Sequence, residues 1–221
     1  MITLHHLNNS RSQRILWLLE ELGIKYEIKY YQRNKETMLA PPELKMIHPL
    51  GKSPVITDGD VTIAESAVII EYLIEKYGNG KLKPAPGTPA LMKYNYWMHF
   101  AEGTAMSPLL LALIFNRIDS SPVPFFIKPI IKKITGKVRT SFINPNLKNN
   151  FDFIEGELAK AEWFAGNEFT GADIQMSFPM EAGTIRAGDF GPYSKKYLEK
   201  IHSRPAYKKA LEIGGEYTIG K

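Results

Sequence analysis

Three short stretches of this sequence gather hydroxyl, cationic and carboxylate side chains where an anionic small molecule could meet them. The first, Leu7-Asn8-Asn9-Ser10-Arg11-Ser12, falls between an expected strand and an expected helix. The carboxyl end of a strand there meets free helix N–H groups, a position that ligands favour in open α/β sheets. Ser10 or Ser12 can cap the helix, which needs no function, or can donate a hydroxyl to an anion. No GxSxG elbow surrounds either serine and no His-Asp pair is spaced to serve one, which excludes a protease-type nucleophile. The second stretch is Gly51-Lys52-Ser53-Pro54 and the third Ala64-Glu65-Ser66-Ala67. Glu65 and Ser66 stand where another helix should begin, offering N–H groups and a hydroxyl to a carboxylate and one carboxylate to an ammonium. Such a pair can receive an α-amino acid head, and it can equally be a capping pair. Lys52 can clamp a second carboxylate or simply be solvated. The histidines at 5, 6, 48, 99 and 202 show no metal-ligand spacing, so no metal site is expected.

Composition narrows the chemistry. The 221 residues include no cysteine, which removes disulfides, thiolate metal sites, CxxC pairs and a cysteine nucleophile together. Sulfur chemistry would need a thiol carried in by a ligand. Hydrophobic residues at 44% and charged ones at 23% are ordinary for a globule, and 28 basic against 23 acidic residues leave a net charge of +5. No uninterrupted apolar run is long enough to cross a bilayer and the start lacks a signal-peptide pattern, so a cytoplasmic protein with no membrane insertion is expected. Lys128, Lys132, Lys133, Lys137 and Arg139 punctuate an apolar stretch over 125–139. Without a groove-reading motif, this reads as a solvated helix face whose apolar side packs inward, and nucleic acid is not an expected partner.

The elements that position the three stretches can be read from periodicity. Strands are expected over 2–6 and 26–31, a helix carrying Ile15, Leu18, Leu19 and Leu22 that ends at Gly23, and a hairpin over 54–63 turning at Asp58-Gly59-Asp60. The segment 67–77 is apolar on nearly every side and should be a helix sandwiched between neighbours. This βαβ-ββα order implies a mixed four-stranded sheet with helices packed on it. Glycines and the prolines at 84, 86 and 89 mark a linker over 80–89 between a first domain at 1–79 and an all-helical second domain at 90–221. One long helix is expected over 90–116 with a bend at Pro108, and Asn144-Pro145 reads as the cap and first turn of another.

The ordered set Ser10-Arg-Ser-Gln-Arg14, Leu19-Glu-Glu-Leu-Gly23, Gly51-Lys-Ser-Pro54, Ile63-Ala-Glu-Ser66 and Phe164-Ala-Gly-Asn-Glu-Phe-Thr-Gly-Ala-Asp-Ile174 resembles the cytosolic glutathione transferases of the serine type. The resemblance covers essentially the whole chain. It implies a thioredoxin-like N-terminal domain that binds glutathione and a helical-bundle C-terminal domain that lines a pocket for an apolar electrophile. It further implies conjugation of the glutathione thiolate, or reduction of peroxides with it, in a homodimer. A ligand-binding protein of the same fold without turnover is the alternative. On this resemblance Ser10 stabilises the thiolate, with Asn9 and Ser12 as competing donors. Ser53 holds the cysteinyl part beside a cis Pro54, Glu65 and Ser66 hold the γ-glutamyl head, and Lys52, assisted by His48, meets the glycyl carboxylate. Thr170 and Asp173 match a folding cap, with the hydroxyl on the third N–H of the helix. Tyr94, Met98, Met106, Phe115 and Phe126 are available to line the second pocket, though such residues are more often core.

Overall fold

The computed structural model describes residues 1–188, 190–215 and 217–219. Its first layer is a sheet of strands β1 (Ile2–Leu7), β2 (Tyr26–Tyr31), β3 (Val55–Asp58) and β4 (Val61–Ala64) in the order β2-β1-β3-β4. β1 runs parallel to β2, pairing Leu4 with Ile28, and antiparallel to β3, pairing Leu4 with Ile56. A parallel pair needs a crossover, which helix α1 (Ser12–Leu22) supplies. Gly23 stops that helix in the left-handed conformation, φ 63°, with its N–H on the Glu20 and Leu19 carbonyls.

Helix α2 (Ser66–Tyr77) buries Ile69, Ile70, Leu73 and Ile74, whereas Val68 faces outward at 54% exposure, so the helix is covered on fewer sides than its composition led us to expect. Asp58 fastens the end of β3 to α2, accepting from Lys76 Nζ at 2.7 Å, Tyr72 Oη at 2.8 Å and Tyr77 Oη. Hydrogen bonding from Lys76 first, then from Tyr77, holds the Asp58 carboxyl at about 2. A carboxyl depressed in the folded state contributes stability above its unfolded pKa and loses it as pH falls toward the folded one. Thermal unfolding should therefore show a falling Tm between about pH 4 and pH 2 that Asp58→Asn flattens. An equal slope in both proteins would remove this linkage.

The remaining elements are helical: α3 (Pro89–Phe100), α4 (Met106–Ser120), α5 (Lys128–Val138), α6 (Asn144–Leu158), α7 (Gly171–Arg186), α8 (Pro192–Ser203) and α9 (Pro205–Gly214). α3 and α4 join through a widened π turn at Ala101–Ala105, one turn before Pro108. Proline lacks the N–H that would satisfy the carbonyl four residues earlier, and Thr104 O accepts from Asn150 Nδ2 at 3.1 Å instead. By length and composition Pro89–Ser120 could cross a membrane, but its Tyr94, Trp97, Leu109 and Ala112 are buried in the core.

Two expectations fail in this region. Asn144 caps nothing: its φ and ψ of −63° and −42° are helical, and the chain continues from α5 through a π turn at Arg139–Ile143 into α6. The widened turn accommodates Pro145 inside the helix. The apolar side of 125–139 also does not pack inward, since Phe125 is 83% and Phe126 64% exposed. α5 docks through polar groups instead, Thr135 Oγ1 at 2.5 Å and Arg139 Nη2 at 2.8 Å from Asp119, and Ile130 and Ile134 face outward. α7 is the central core helix, and Gly171 lets it approach α2, because a Cβ there would lie 2.6 Å from Ile74 Cδ1.

Candidate active site

Strand register brings the three stretches together. His5 pairs with Val55 and Val55 with Ala64, so the end of β1, the start of β3 and the end of β4 share one end of the sheet. The Ser10 loop, Ser53-Pro54 and Glu65-Ser66 all emerge there.

Alternation along β1 sends its two histidines to opposite sides. His5 Nδ1 lies 3.0 Å from Tyr31 Oη, and His6 Nδ1 lies 3.0 Å from Ser12 Oγ. The other nitrogen of His6, Nε2, is 3.1 Å from Gly214 O, a carbonyl that only accepts, so the proton sits on Nε2. Burial lowers the His6 pKa and keeps the ring neutral. Nδ1 then accepts, and Ser12 Oγ donates to it. Ser12 is fully buried, takes the Leu7 N–H at 3.3 Å, and its one proton is shared between His6 Nδ1 and the Leu7 carbonyl at 3.2 Å, so it has none left to give. Ser10 Oγ accepts from Ser12 N at 3.1 Å and lies 2.8 Å from Ser12 Oγ. It is thus both a partial helix cap and a hydroxyl whose own proton rests on a neighbour that a stronger acceptor can displace. Asn9 adopts a left-handed conformation, φ 49°, and its Oδ1 accepts from Thr218 N at 2.6 Å, which orients the amide and leaves its Nδ2 protons as donors.

Behind the loop Arg14 is buried at 2% exposure. Pro179 lies inside α7 and cannot donate to Gln175 O, so that carbonyl is free to take Arg14 Nη1 at 2.7 Å. Arg14 also pairs with Glu102 in the turn between α3 and α4, which Arg11 Nη2 approaches to 3.2 Å. Burial raises the Glu102 pKa, but Arg14 and Arg11 outweigh it and hold the carboxyl below its usual range. The ion pairs therefore fix α1, and with it the Ser10 loop, against the helical layer.

The second and third stretches present open groups. The Ser53-Pro54 peptide is cis, and Ser53 Oγ donates to His5 O at 2.9 Å, tying this loop to β1. Glu65 adopts φ 71° and ψ 121°, a conformation that costs a residue other than glycine about 1–3 kcal/mol. Its exposed side chain makes no capping hydrogen bond, so the capping alternative for Glu65 fails. Ser66, buried at 5%, opens α2 with no side chain from the preceding residue covering the first-turn N–H groups. Lys52 is exposed, and His48 is half-buried with Nδ1 accepting from Leu50 N at 3.4 Å.

Residues 10–76 match the glutathione S-transferase N-terminal domain family, and residues 143–205 match the glutathione S-transferase C-terminal domain family. Glutathione S-transferase 3 of Schizosaccharomyces pombe is 39% identical, over 99% of this chain and 90% of its own. The chain belongs to the glutathione S-transferase family. A glutathione S-transferase structure from Actinobacillus pleuropneumoniae superposes with a TM-score of 0.78 at 38% identity, covering 97% of this chain and 93% of that one. A glutathione transferase from Phanerochaete chrysosporium, solved in complex with oxidized glutathione, shares the fold with a TM-score of 0.74 at 23% identity, covering 96% of each chain.

In this glutathione S-transferase the proposed pocket residues separate. Tyr94, Met98 and Met106 are core, Phe115 packs partly buried against the core, and Phe126 faces solvent. Sequence reasoning missed Phe178, whose ring lies 4.8 Å below the Arg11 guanidinium, and the C-terminal strap, where Tyr217 Oη donates to Glu181 at 2.9 Å and Thr218 reaches Asn9. No local signal marks either, because both contacts join segments far apart in sequence. Among the described residues no group of acidic and histidine side chains is arranged to hold a metal ion.

Proposed function

We propose that this glutathione transferase binds glutathione across the three loops and that Ser10 is its catalytic residue, donating to the bound thiolate. The γ-glutamyl carboxylate takes the Ser66 hydroxyl and the uncovered N–H groups of α2, its ammonium takes Glu65, the Ser53 backbone pairs with the cysteinyl part, and Lys52 with His48 meets the glycyl carboxylate. The observation that carries this reading is the Ser10 proton, which rests only on the Ser12 hydroxyl, beside the first turn of α1 and at the same end of the sheet as the open start of α2.

A free thiol with a pKa of about 8.5 is mostly protonated at neutral pH. Depressing it by about two units, some 2.7 kcal/mol, leaves it mostly ionised. A donated hydroxyl and a helix N-terminus act in that direction, as they do for protein cysteines. The sulfur then forms a bond to an electrophilic carbon and the leaving group departs with the bonding electrons, while the protein contributes proximity and exclusion of water. With a peroxide, the same thiolate attacks one oxygen, the O–O bond breaks and the other oxygen leaves as an alcohol, and a second glutathione reduces the resulting sulfenic acid to give the disulfide and water.

We take residues 1–79 as the glutathione domain, 80–89 as linker and 90–221 as the domain that holds the electrophile. The chain is proposed to pair as a homodimer through the outward apolar residues Val68, Met92 and Tyr96, with sedimentation at twice the chain mass expected and monomer sedimentation refuting it. It is placed in the cytoplasm, where glutathione is kept reduced, and clearance of reactive electrophiles follows as its role.

The experiment is a pH titration of thiolate absorbance for glutathione bound to the wild-type protein, with turnover of a nitro-activated aryl chloride in parallel. An apparent thiol pKa at least one unit below that of free glutathione, together with turnover, is expected. Binding with an unshifted pKa and no turnover would instead describe a ligand-binding protein.

A further inference from the structure

The side of α5 turned to solvent interleaves lysines with large apolar side chains. Residues 120–143 include Lys128, Lys132, Lys133, Lys137 and Arg139 and no acidic residue, a local excess as large as the +5 of the whole chain. Arg139 is met by Asp119 at 2.8 Å, whereas the four lysines are exposed and, among the described residues, none is paired with a carboxylate. Thr135 and Arg139, four positions apart, both hold Asp119 and so define the side of α5 that meets α4. Ile130, Lys133, Ile134 and Lys137 recur at i, i+3, i+4 and i+7 and lie on the opposite face, with each isoleucine 60% exposed. Phe125 and Phe126 project from the turn ahead of the helix, their rings packed edge to face on each other at 5.6 Å.

Single exposed apolar residues are ordinary, but four large ones over 125–134, bordered by lysines, mark a binding surface. The pattern also selects the partner. A bilayer with anionic phospholipid satisfies both halves at once: the apolar side chains enter the boundary between headgroups and acyl chains, and the lysine stems reach back so that their ammonium groups meet phosphates. A second copy of this chain is disfavoured, because a two-fold contact through this face would set the same lysines against one another. Nucleic acid would meet the lysines but leave the phenylalanines and isoleucines in water.

We propose that α5 and the turn before it dock this protein peripherally on bilayers that carry anionic phospholipid, with Phe125, Phe126, Ile130 and Ile134 seated below the headgroups and Lys133 and Lys137, flanked by Lys128 and Lys132, on the lipid phosphates. The inference goes beyond the transferase reading and stands without it, since it uses no residue of the glutathione site.

Vesicle flotation of the full chain tests it. Binding to vesicles of phosphatidylcholine mixed with phosphatidylglycerol should be at least about tenfold tighter than to vesicles of phosphatidylcholine alone, and added salt should weaken it. Lys133→Gln/Lys137→Gln should weaken binding to the mixed vesicles about 25-fold, each lysine near an anionic surface contributing a factor of about five. Phe125→Ser/Ile130→Ser should weaken it about tenfold by removing apolar area from the headgroup boundary. These positions are exposed, so the Tm of both variants should stay within about 2 °C of wild type. Failure to bind the mixed vesicles, equal binding to both vesicle types, or binding that either double variant leaves unchanged overturns the proposal. Absent vesicle binding with capture of a duplex oligonucleotide that Lys133→Gln/Lys137→Gln abolishes would assign the face to nucleic acid. Absent vesicle binding with a smaller sedimenting species in Phe125→Ser/Ile130→Ser would assign it to a second copy of the chain, and either result likewise overturns the proposal.

Discussion

Ser10→Ala should lower kcat/KM for conjugation by about a hundredfold while moving the KM for glutathione less than about threefold, because one preorganised donor to a reacting anion contributes on that scale. In the proposed binding mode the hydroxyl meets the sulfur and neither carboxylate of glutathione, so its loss should fall on the reacting atom rather than on binding. In parallel, the pKa of the bound thiol should return toward its value in free glutathione. Ser12→Ala separates donor from support. Ser12 holds the Ser10 hydroxyl at 2.8 Å and the His6 ring at 3.0 Å but has no free proton, so its removal should cost less than Ser10's and leave part of the thiol shift in place. If Ser10→Ala keeps both the rate and the shift, Ser10 is only the cap that its bond from Ser12 N also makes it.

The largest effect on stability is expected at Asp173. Its carboxylate accepts from Thr170 N at 2.8 Å, Phe164 N at 3.0 Å and Thr170 Oγ1 at 3.1 Å, and it is fully buried. Burial pushes the carboxyl up to about 6 against the pull of these donors, so it is ionised at neutral pH. Asp173→Ala strands two backbone N–H groups in the core at about 1–3 kcal/mol each. A total of about 4 kcal/mol would lower Tm by roughly 10 °C in a chain of this size. Asp173→Asn keeps one acceptor oxygen and should lose about half as much, which leaves the prediction testable if the alanine variant does not fold. A Tm within about 2 °C of wild type in both would remove the cap from the stability account.

Asp173 also marks how far local sequence reached. A Thr-x-x-Asp pair at a helix start is a short-range pattern, and the structure bears it out: the Thr170 side chain accepts from the third N–H of α7 and the Asp173 carboxylate from the Thr170 N–H, with Ala172 N also 3.3 Å from Thr170 Oγ1. The left-handed stop at Gly23 and the turn at Gly59, φ 61°, were legible for the same reason, since conformation there follows from the absence of a Cβ. Asn144-Pro145 failed because its alternatives, a capped helix start or an accommodated proline, differ by whether the preceding turn has something to pack on. The face of α5 failed likewise: its orientation is set by Asp119, sixteen positions before Thr135, not by the amphipathic pattern of the segment.

Sequence by itself determined the βαβ-ββα order, the helical second half, the absence of any protein thiol, and the hydroxyls and charges available to a thiol-bearing ligand, because strand alternation, helical spacing and turn chemistry act over a few residues. Tertiary structure decided which of those groups is free to act. The Ser12 proton is engaged by His6, whose tautomer is fixed by Gly214, more than two hundred residues away, and the Asn9 amide is oriented by Thr218. Arg14 is held in place by a carbonyl that Pro179 leaves open and by Glu102 from the turn between α3 and α4. A proton's availability and a cluster's charge depend on every neighbour that packs around them, and only the folded chain brings those neighbours together.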